Sequence, residues 1–301
     1  MPSLVEAAPN AYRSQRGEIR ELSLNQATTR PYPLIPTAEA AMRAGIRHIG
    51  LWIEPVEETG IARTQQLLAD TGLSVSSVCR AGFLADKEGT ELKAAIDGVK
   101  RALDLSHEVG SPMLTLIAGG LPASDRSIGH AEQRLRVTLE ELEPHARQAG
   151  VRLALEPLHP LFVDSRSIVT TIGQALRVIE DLPAETVGIL VDAYATYWDS
   201  NFHDDVVKAG PRIAGYQVSD FALPLPVPEN MNGRLFPGEG SIDLASLTAS
   251  VRRAGFTGPV EVEIFNDDIW KLPLETIIER TVAGFNRYVA EPVNALERQP
   301  A

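Results

Sequence analysis

The segment Arg152-Leu-Ala-Leu-Glu-Pro-Leu-His159 constrains this chain more than any other. Residues 152–155 read as a short buried strand, Glu156 closes it with a carboxylate, and Pro157, which lacks a backbone donor, ends it. A charge at the end of an apolar strand is costly unless something pairs with it. Three later segments repeat the form: Val187-Gly-Ile-Leu-Val-Asp192, Ile213-Ala-Gly-Tyr-Gln217 and Val260-Glu-Val-Glu263. Four apolar runs that each finish in a metal-capable group imply one cluster built around a divalent cation.

Strand and helix alternate along the chain. Ala44-Gly45-Ile46, Thr71-Gly72-Leu73, Ala149-Gly150-Val151 and Ala254-Gly255-Phe256 each close a helical pattern with glycine and open the next strand with an apolar residue. Strands are predicted at 20–26, 48–54, 74–80, 113–118, 152–156, 186–192, 213–219 and 259–265. Amphipathic stretches such as 93–109 and 131–149 lie between them. Eight such alternations imply a parallel sheet closed into a (β/α)8 TIM barrel. No glycine-rich phosphate loop follows the first strand, which counts against a doubly wound open sheet. The 301 residues fit one barrel of about 250 residues with extensions. We expect a polar arm over 1–18, the barrel over 19–290 and a tail over 291–301.

In this arrangement the four oxygen-bearing residues fall at the C-terminal ends of strands five to eight, the face where barrel enzymes keep their sites. Alternation over Val260–Phe265 places Glu261, Glu263 and Phe265 on one face, predicted to point into the barrel. The connection from Phe221 to Gly240 holds four prolines and reads as a stiff, structureless lid or interaction surface over that same face.

Composition narrows the partners. A formal charge of −12 argues against a nucleic-acid surface and disfavours an anionic membrane. No apolar run approaches the length of a membrane span, and the N-terminus has no apolar core of a secretory signal. The single cysteine, Cys79, fits a reducing compartment, so a cytoplasmic location is expected. The five lysines avoid strand ends and no Gly-x-Ser-x-Gly elbow occurs, which argues against Schiff-base and serine-nucleophile chemistry.

An oxygen donor set suits Mn, with Mg or Co as alternatives. Such a cation beside a carbonyl acidifies the neighbouring C–H, and a carboxylate at its side takes the proton. Glu156 and Glu263, on strands across from one another, would remove a proton on one face and return it on the other. The expected ligand is therefore a small carbohydrate or keto-sugar. His159 is a further candidate proton donor or hydroxyl contact, or else a partner of Glu156. Trp52, Glu54, Arg80, Asp220 and Arg234 are candidate substrate contacts. Plainer alternatives are Trp52 as core, Arg80 paired with Glu54, and Asp220 paired with Lys208 or Arg212.

Leu155-Glu-Pro-Leu-His159, Val191-Asp-Ala-Tyr194, Tyr216-Gln-Val-Ser-Asp220 and Glu261-Val-Glu-Ile-Phe265 resemble the xylose-isomerase-like sugar phosphate isomerase/epimerase family. So do Gly50-Leu-Trp-Ile-Glu-Pro55, Ser77-Val-Cys-Arg80 and Gly238-Glu-Gly-Ser-Ile-Asp243, and the likeness runs from about residue 20 to about residue 290. The resemblance implies metal ligation by Glu156, Asp192, Gln217 and Glu263, with Gln217 where the family has histidine. Ala195 stands where many members carry a substrate-binding histidine. It further implies an isomerase or epimerase of a ketose, or a lyase that begins with the same proton abstraction. Inosose dehydratases and the larger subunit of C-glycoside deglycosidases, which works on 3-keto sugars with a small β-subunit, are of the lyase type. An oligomer is expected on this basis, with such a β-subunit as one partner. The departures at Gln217 and Ala195 leave open a barrel that has lost its metal and serves as a binding scaffold. The zinc endonucleases of the superfamily bind metal through many histidines, and the acidic balance of this chain points away from them.

Overall fold

The computed structural model describes residues 21–224 and 231–292, so the expected polar arm, most of the expected tail and part of the long connection lie outside the described residues. Numbered in chain order, the strands are β1 (Leu22–Asn25), β2 (His48–Trp52), β3 (Ser74–Gly82), β4 (Met113–Ile117), β5 (Arg152–Glu156), β6 (Val187–Asp192), β7 (Ile213–Val218), β8 (Asp220–Phe221), β9 (Arg234–Leu235) and β10 (Val260–Val262). All except β8 and β9 pair in parallel and close into a barrel in the order β1-β10-β7-β6-β5-β4-β3-β2. The helices outside it are α1 (Leu34–Arg43), α2 (Ile53–Thr59), α3 (Ile61–Thr71), α4 (Gly89–Glu108), α5 (Ile128–Ala149), α6 (Ile172–Val178), α7 (Ala193–Thr196), α8 (Phe202–Ala209), α9 (Leu244–Arg253) and α10 (Leu274–Phe285). Each predicted barrel strand is present, the first and the last shorter than expected.

The strands are apolar because they are covered on both faces, by helices outside and by side chains within. Gly72 and Gly150 end α3 and α5 in the left-handed conformation, which a residue with a Cβ adopts only under strain. Among the described residues no helix is long and apolar enough to cross a membrane.

Period-two alternation stacks the inward side chains into layers. At the bottom, Met113, Ala154 and Leu190 form a small apolar plug, and a Cβ on Gly215 would lie 2.3 Å from the Met113 methyl group. Glu261 dominates the middle. Its Oε1 accepts from Asn25 Nδ2 (2.6 Å) and Gln217 Nε2 (2.6 Å), and its Oε2 accepts from Ser76 Oγ (2.5 Å) and Ser77 Oγ (2.8 Å). Gly50 makes room for it: a Cβ there would meet Oε2 at 2.4 Å. The next inward residues along β5, β6 and β7 are Glu156, Asp192 and Gln217, and Glu263 follows Glu261 just past the end of β10.

The long connection is not structureless at its ends. β8 and β9 pair antiparallel, joining Asp220 to Leu235 and Phe221 to Arg234. Asp220 then gathers the following turn: its carboxylate accepts backbone N–H bonds from Phe221 (2.9 Å), Gly238 (3.0 Å), Gly240 (3.0 Å) and Ile242 (2.9 Å). A Cβ on Gly240 would sit 2.2 Å from the Phe221 carbonyl, so only glycine lets the turn close this tightly. Substituting Asp220→Ala leaves these donors, one buried and three partly buried, without their acceptor and is expected to cost about 1–3 kcal/mol of unfolding free energy, measured by urea denaturation. A loss below about 0.5 kcal/mol, the range of an ordinary surface change, would contradict this account.

Candidate active site

Glu156, Asp192 and Glu263 meet at the C-terminal mouth of the barrel. Each is buried, and one oxygen from each lies within 4.8 Å of the others. Glu156 and Glu263 come from positions three strands apart in the barrel order, and not from diametrically opposed strands. Three carboxylates in so small a volume repel one another, and burial removes the water that would screen them. Burial, then Glu263 and Asp192, push the Glu156 carboxyl well above the usual range. Burial likewise raises Glu263, to about 8, against the pull of Arg234. Asp192 is raised by burial and partly restored by Arg234 and by the N–H groups of Tyr194 and Ala195.

Arg234 is the counter-charge within the protein. Its guanidinium is 2 % exposed; Nη1 donates to Glu263 Oε2 at 3.1 Å and lies 3.1 Å from Asp192 Oδ2, a charge contact without hydrogen-bond alignment. It also lies over the ring faces of Tyr194 (4.6 Å) and Phe265 (5.0 Å). Its backbone is pinned by an N–H bond to the Phe265 carbonyl (3.1 Å) and by Asn266 Nδ2 donating to its own carbonyl (2.9 Å). Burial works against its charge, but Asp192 and Glu263 outweigh burial and hold it protonated.

Gln217 stands beside Asp192 in the β6–β7 register. Because Glu261 is an acceptor, the amide NH2 must face it, and this leaves the buried Oε1 as the free end. That oxygen accepts no hydrogen bond. Three close carboxylates, a net charge of −2 once Arg234 is counted and all are ionised, and an orphaned amide oxygen suit a divalent cation bound through oxygen. Cys79 lines the same cavity but offers no thiolate, since burial and then Glu263 and Glu261 push its pKa up.

The cavity above these groups has a volume of about 120 Å³ and opens to solvent at the barrel mouth. Of the sequence-derived candidates, Trp52, Arg80, Glu156, Arg234 and Glu263 line it, while Asp192 and Gln217 lie buried behind. Trp52 is 8 % exposed; its Nε1 donates to Asn25 Oδ1 (2.8 Å) and Arg80 covers its face at 4.8 Å. Arg80 also pairs with Glu54 at 3.7 Å, and Glu54 lines an adjoining surface groove in place of the cavity. His159 is not among the lining residues; its Nδ1 accepts from the Leu161 N–H (3.3 Å) and its ring meets Phe162 and Trp198 edge to face. Ala195 is buried, its carbonyl accepting from Trp198 Nε1 at 2.6 Å.

Asp220 organises the turn described above and is not among the residues that line the cavity, and the alternative partners expected for it are engaged elsewhere, Lys208 with Asp205 and Arg212 with the Glu180 and Leu182 carbonyls. The lining residues that the sequence did not single out are Arg30, Arg166, Thr115, Ile117, Leu158 and the pair Met231–Asn232. For most of these no sequence signal existed, since they sit in loops or lack a distinctive residue type.

The profile of the xylose isomerase-like TIM barrel family matches residues 38–288. Among characterised relatives, the 3-dehydroshikimate dehydratase of Pseudomonas putida is 27% identical over 216 residues, 70% of this chain and 32% of that protein. An inosose isomerase of Halalkalibacterium halodurans is 26% identical over 196 residues, 63% of this chain and 64% of that protein. The matched segments thus span less than two thirds of either relative. Among solved structures, a protein of Sinorhizobium meliloti 1021 superposes with a TM-score of 0.86 at 33% identity, covering 90% of this chain and 99% of its own.

The raised Glu263 carboxyl gives a test of the site's electrostatics. A carboxylate that holds its proton more tightly in the folded chain contributes stability that is complete below its unfolded value. That stability is lost as pH rises, here between about 4.5 and about 8. With metal removed by chelation, Glu263→Gln, which mimics the protonated acid, is expected to melt progressively higher than the wild type as pH goes from about 5 to about 8. A melting difference that does not change with pH would show that the site imposes no such strain.

Proposed function

The chain belongs to the xylose isomerase-like TIM barrel family, and from its site we propose that it is a divalent-metal-dependent isomerase or epimerase of a ketose or keto-sugar. The observation that carries this reading is the buried trio Glu156, Asp192 and Glu263, with oxygens within 4.8 Å of one another at the mouth of the barrel. Together with Gln217 Oε1 these residues would hold the cation. An all-oxygen donor set with a neutral amide in place of imidazole favours Mn, then Mg or Co. When bound, the cation supplies Lewis-acid polarisation of the substrate carbonyl.

The other tasks fall to the chain. Glu156 and Glu263 both line the cavity, so each can touch a ligand there. Their carboxyls bind protons more tightly than usual, and a base near neutral pH is the kind that takes a proton from carbon and gives it back. One removes the proton next to the carbonyl, and the other returns it to the adjacent carbon or to the opposite face. Arg234, fixed between Asp192 and Glu263, keeps the carboxylates apart and limits the negative charge that the ligand meets. Trp52 and Phe265, 5.6 Å apart and edge to face, give the cavity an apolar wall that keeps water from the abstracted proton.

A second reading, elimination of water or another group after the same first step, is favoured by the dehydratase relative, whose alignment covers more of this chain than that of the isomerase. Metal analysis of the purified protein is expected to find about one Mn, Mg or Co per chain, with Glu156→Gln or Asp192→Asn weakening its retention. With a ketose substrate in D2O, exchange into recovered substrate is expected for the isomerase, and loss of a group into product for the lyase. Glu156→Gln should slow either by about a hundredfold to ten-thousandfold. A wild-type protein that retains no divalent metal would overturn the reading in favour of a binding scaffold.

A further inference from the structure

The mouth of the cavity carries more positive charge than its acids require. Arg30, Arg80, Arg166 and Arg234 all line it, in a protein whose overall charge is −12. Arg234 is committed to Asp192 and Glu263. On the reading above, the three rim carboxylates are met by Arg234 and a divalent cation, and Glu261 beneath them by hydrogen bonds from Asn25, Gln217, Ser76 and Ser77. Arg80 has Glu54 as its partner at 3.7 Å, but the Glu54 side chain is 60% exposed, so the pair is largely screened.

Arg166 is left over. It is half-buried in the segment after β5, and among the described residues its guanidinium makes no hydrogen bond or ion pair. Burial lowers its pKa, and the like charge of Arg80 and then of Arg234 outlasts the help it gets from Glu156. Arg30, exposed and laid over Trp270 at 5.5 Å, has no carboxylate partner among the described residues either. Cations gathered in one concavity without matching anions raise the folded state's energy unless a ligand completes them. Guanidinium groups match the planar fork of a carboxylate and the oxygens of a phosphate.

We propose that the ligand of this cavity is anionic: a ketone-bearing polyol that also carries a carboxylate or a phosphate, held at the mouth by Arg166 with Arg80 and Arg30 while its carbonyl end faces Glu156 and Glu263. The inference rests on the metal-dependent reading for the orientation of the ligand. The anion site itself stands on the arginines alone. It narrows the substrate from ketoses in general to acidic ones, and an array of this kind also draws such a ligand out of solution against the protein's net repulsion.

The test uses the full chain loaded with Mn and three matched ketoses, D-fructose, D-fructuronate and D-fructose 6-phosphate, with inorganic phosphate as a bare-anion probe, by titration calorimetry. The expected result is that at least one anionic ketose binds ten times or more tighter than fructose, and which one it is separates the carboxylate source from the phosphate source. Arg166→Gln should remove most of that preference and Arg166→Lys restore part of it. Arg30→Gln, an exposed change that leaves folding intact, should reduce it by a smaller factor. Fructose binding as well as both anions, no anion binding at all, or a preference unmoved by Arg166→Gln and Arg30→Gln would each overturn the proposal. A parallel Mn titration keeps the two readings apart: protein that binds Mn but shows no anion preference retains the metal-dependent reading and loses this one. Anion preference in protein that binds no Mn does the reverse.

Discussion

The architecture of the mouth follows from bringing three carboxylates together where water cannot screen them. Glu156, Asp192 and Glu263 are each almost wholly buried, and side by side they favour protons over ionisation. A structure that keeps such a cluster must supply positive charge. Arg234 supplies one unit from within, and the remaining deficit equals the charge of a divalent cation. The cost of that arrangement is spread well beyond the site. Arg234 reaches the centre only because the long connection folds back as the β8–β9 ribbon, and the turn that follows is gathered by the four N–H bonds to Asp220. A residue remote from the chemistry thus helps to set where a central guanidinium stands.

The barrel beneath works to the same end. Its interior passes from an apolar plug, through the hydrogen-bonded layer around Glu261, to the acidic rim. A carboxylate in the middle of a barrel is tolerable only because both oxygens are fully engaged, by Asn25 and Gln217 on one side and by Ser76 and Ser77 on the other. Gly50 gives it the volume. The packing of this layer and the orientation of the rim above it are one problem, since Gln217 belongs to both.

Much of this was legible in the sequence, for a physical reason: a carboxylate at the end of an apolar run is a local anomaly, and period-two alternation says which side of the sheet it faces. Glu156, Asp192 and Glu263 were found that way. The same rule, applied to Asp220, would have set it apart, because an odd spacing of three from Gln217 turns an extended chain to its other side. His159, also three residues beyond a site residue and held between two prolines, packs its ring against Phe162 and Trp198. Arg166 was invisible for another reason. It lies in an irregular loop with no periodicity, and an arginine in a loop is unremarkable until its neighbours in space are known. What an alternating pattern orients can be read in advance, but what a loop delivers, Arg234 included, depends on closures made elsewhere in the chain.

Gln217 shows how these levels meet. A primary amide can present either an oxygen or an NH2 group, and alone it has no reason to choose. Glu261 decides the matter by accepting from Nε2 at 2.6 Å, so that the oxygen remains for the site. A carboxylate behind a metal-binding imidazole does the same for a ring, fixing which atom is basic and where it points. With an amide the donor stays neutral and hard, which on the proposed reading moves the preference towards cations that are content with oxygen alone. The departure from histidine at this position therefore does not stand by itself. It is matched one layer down by a glutamate whose other contacts hold it still, and by a glycine that makes space for it.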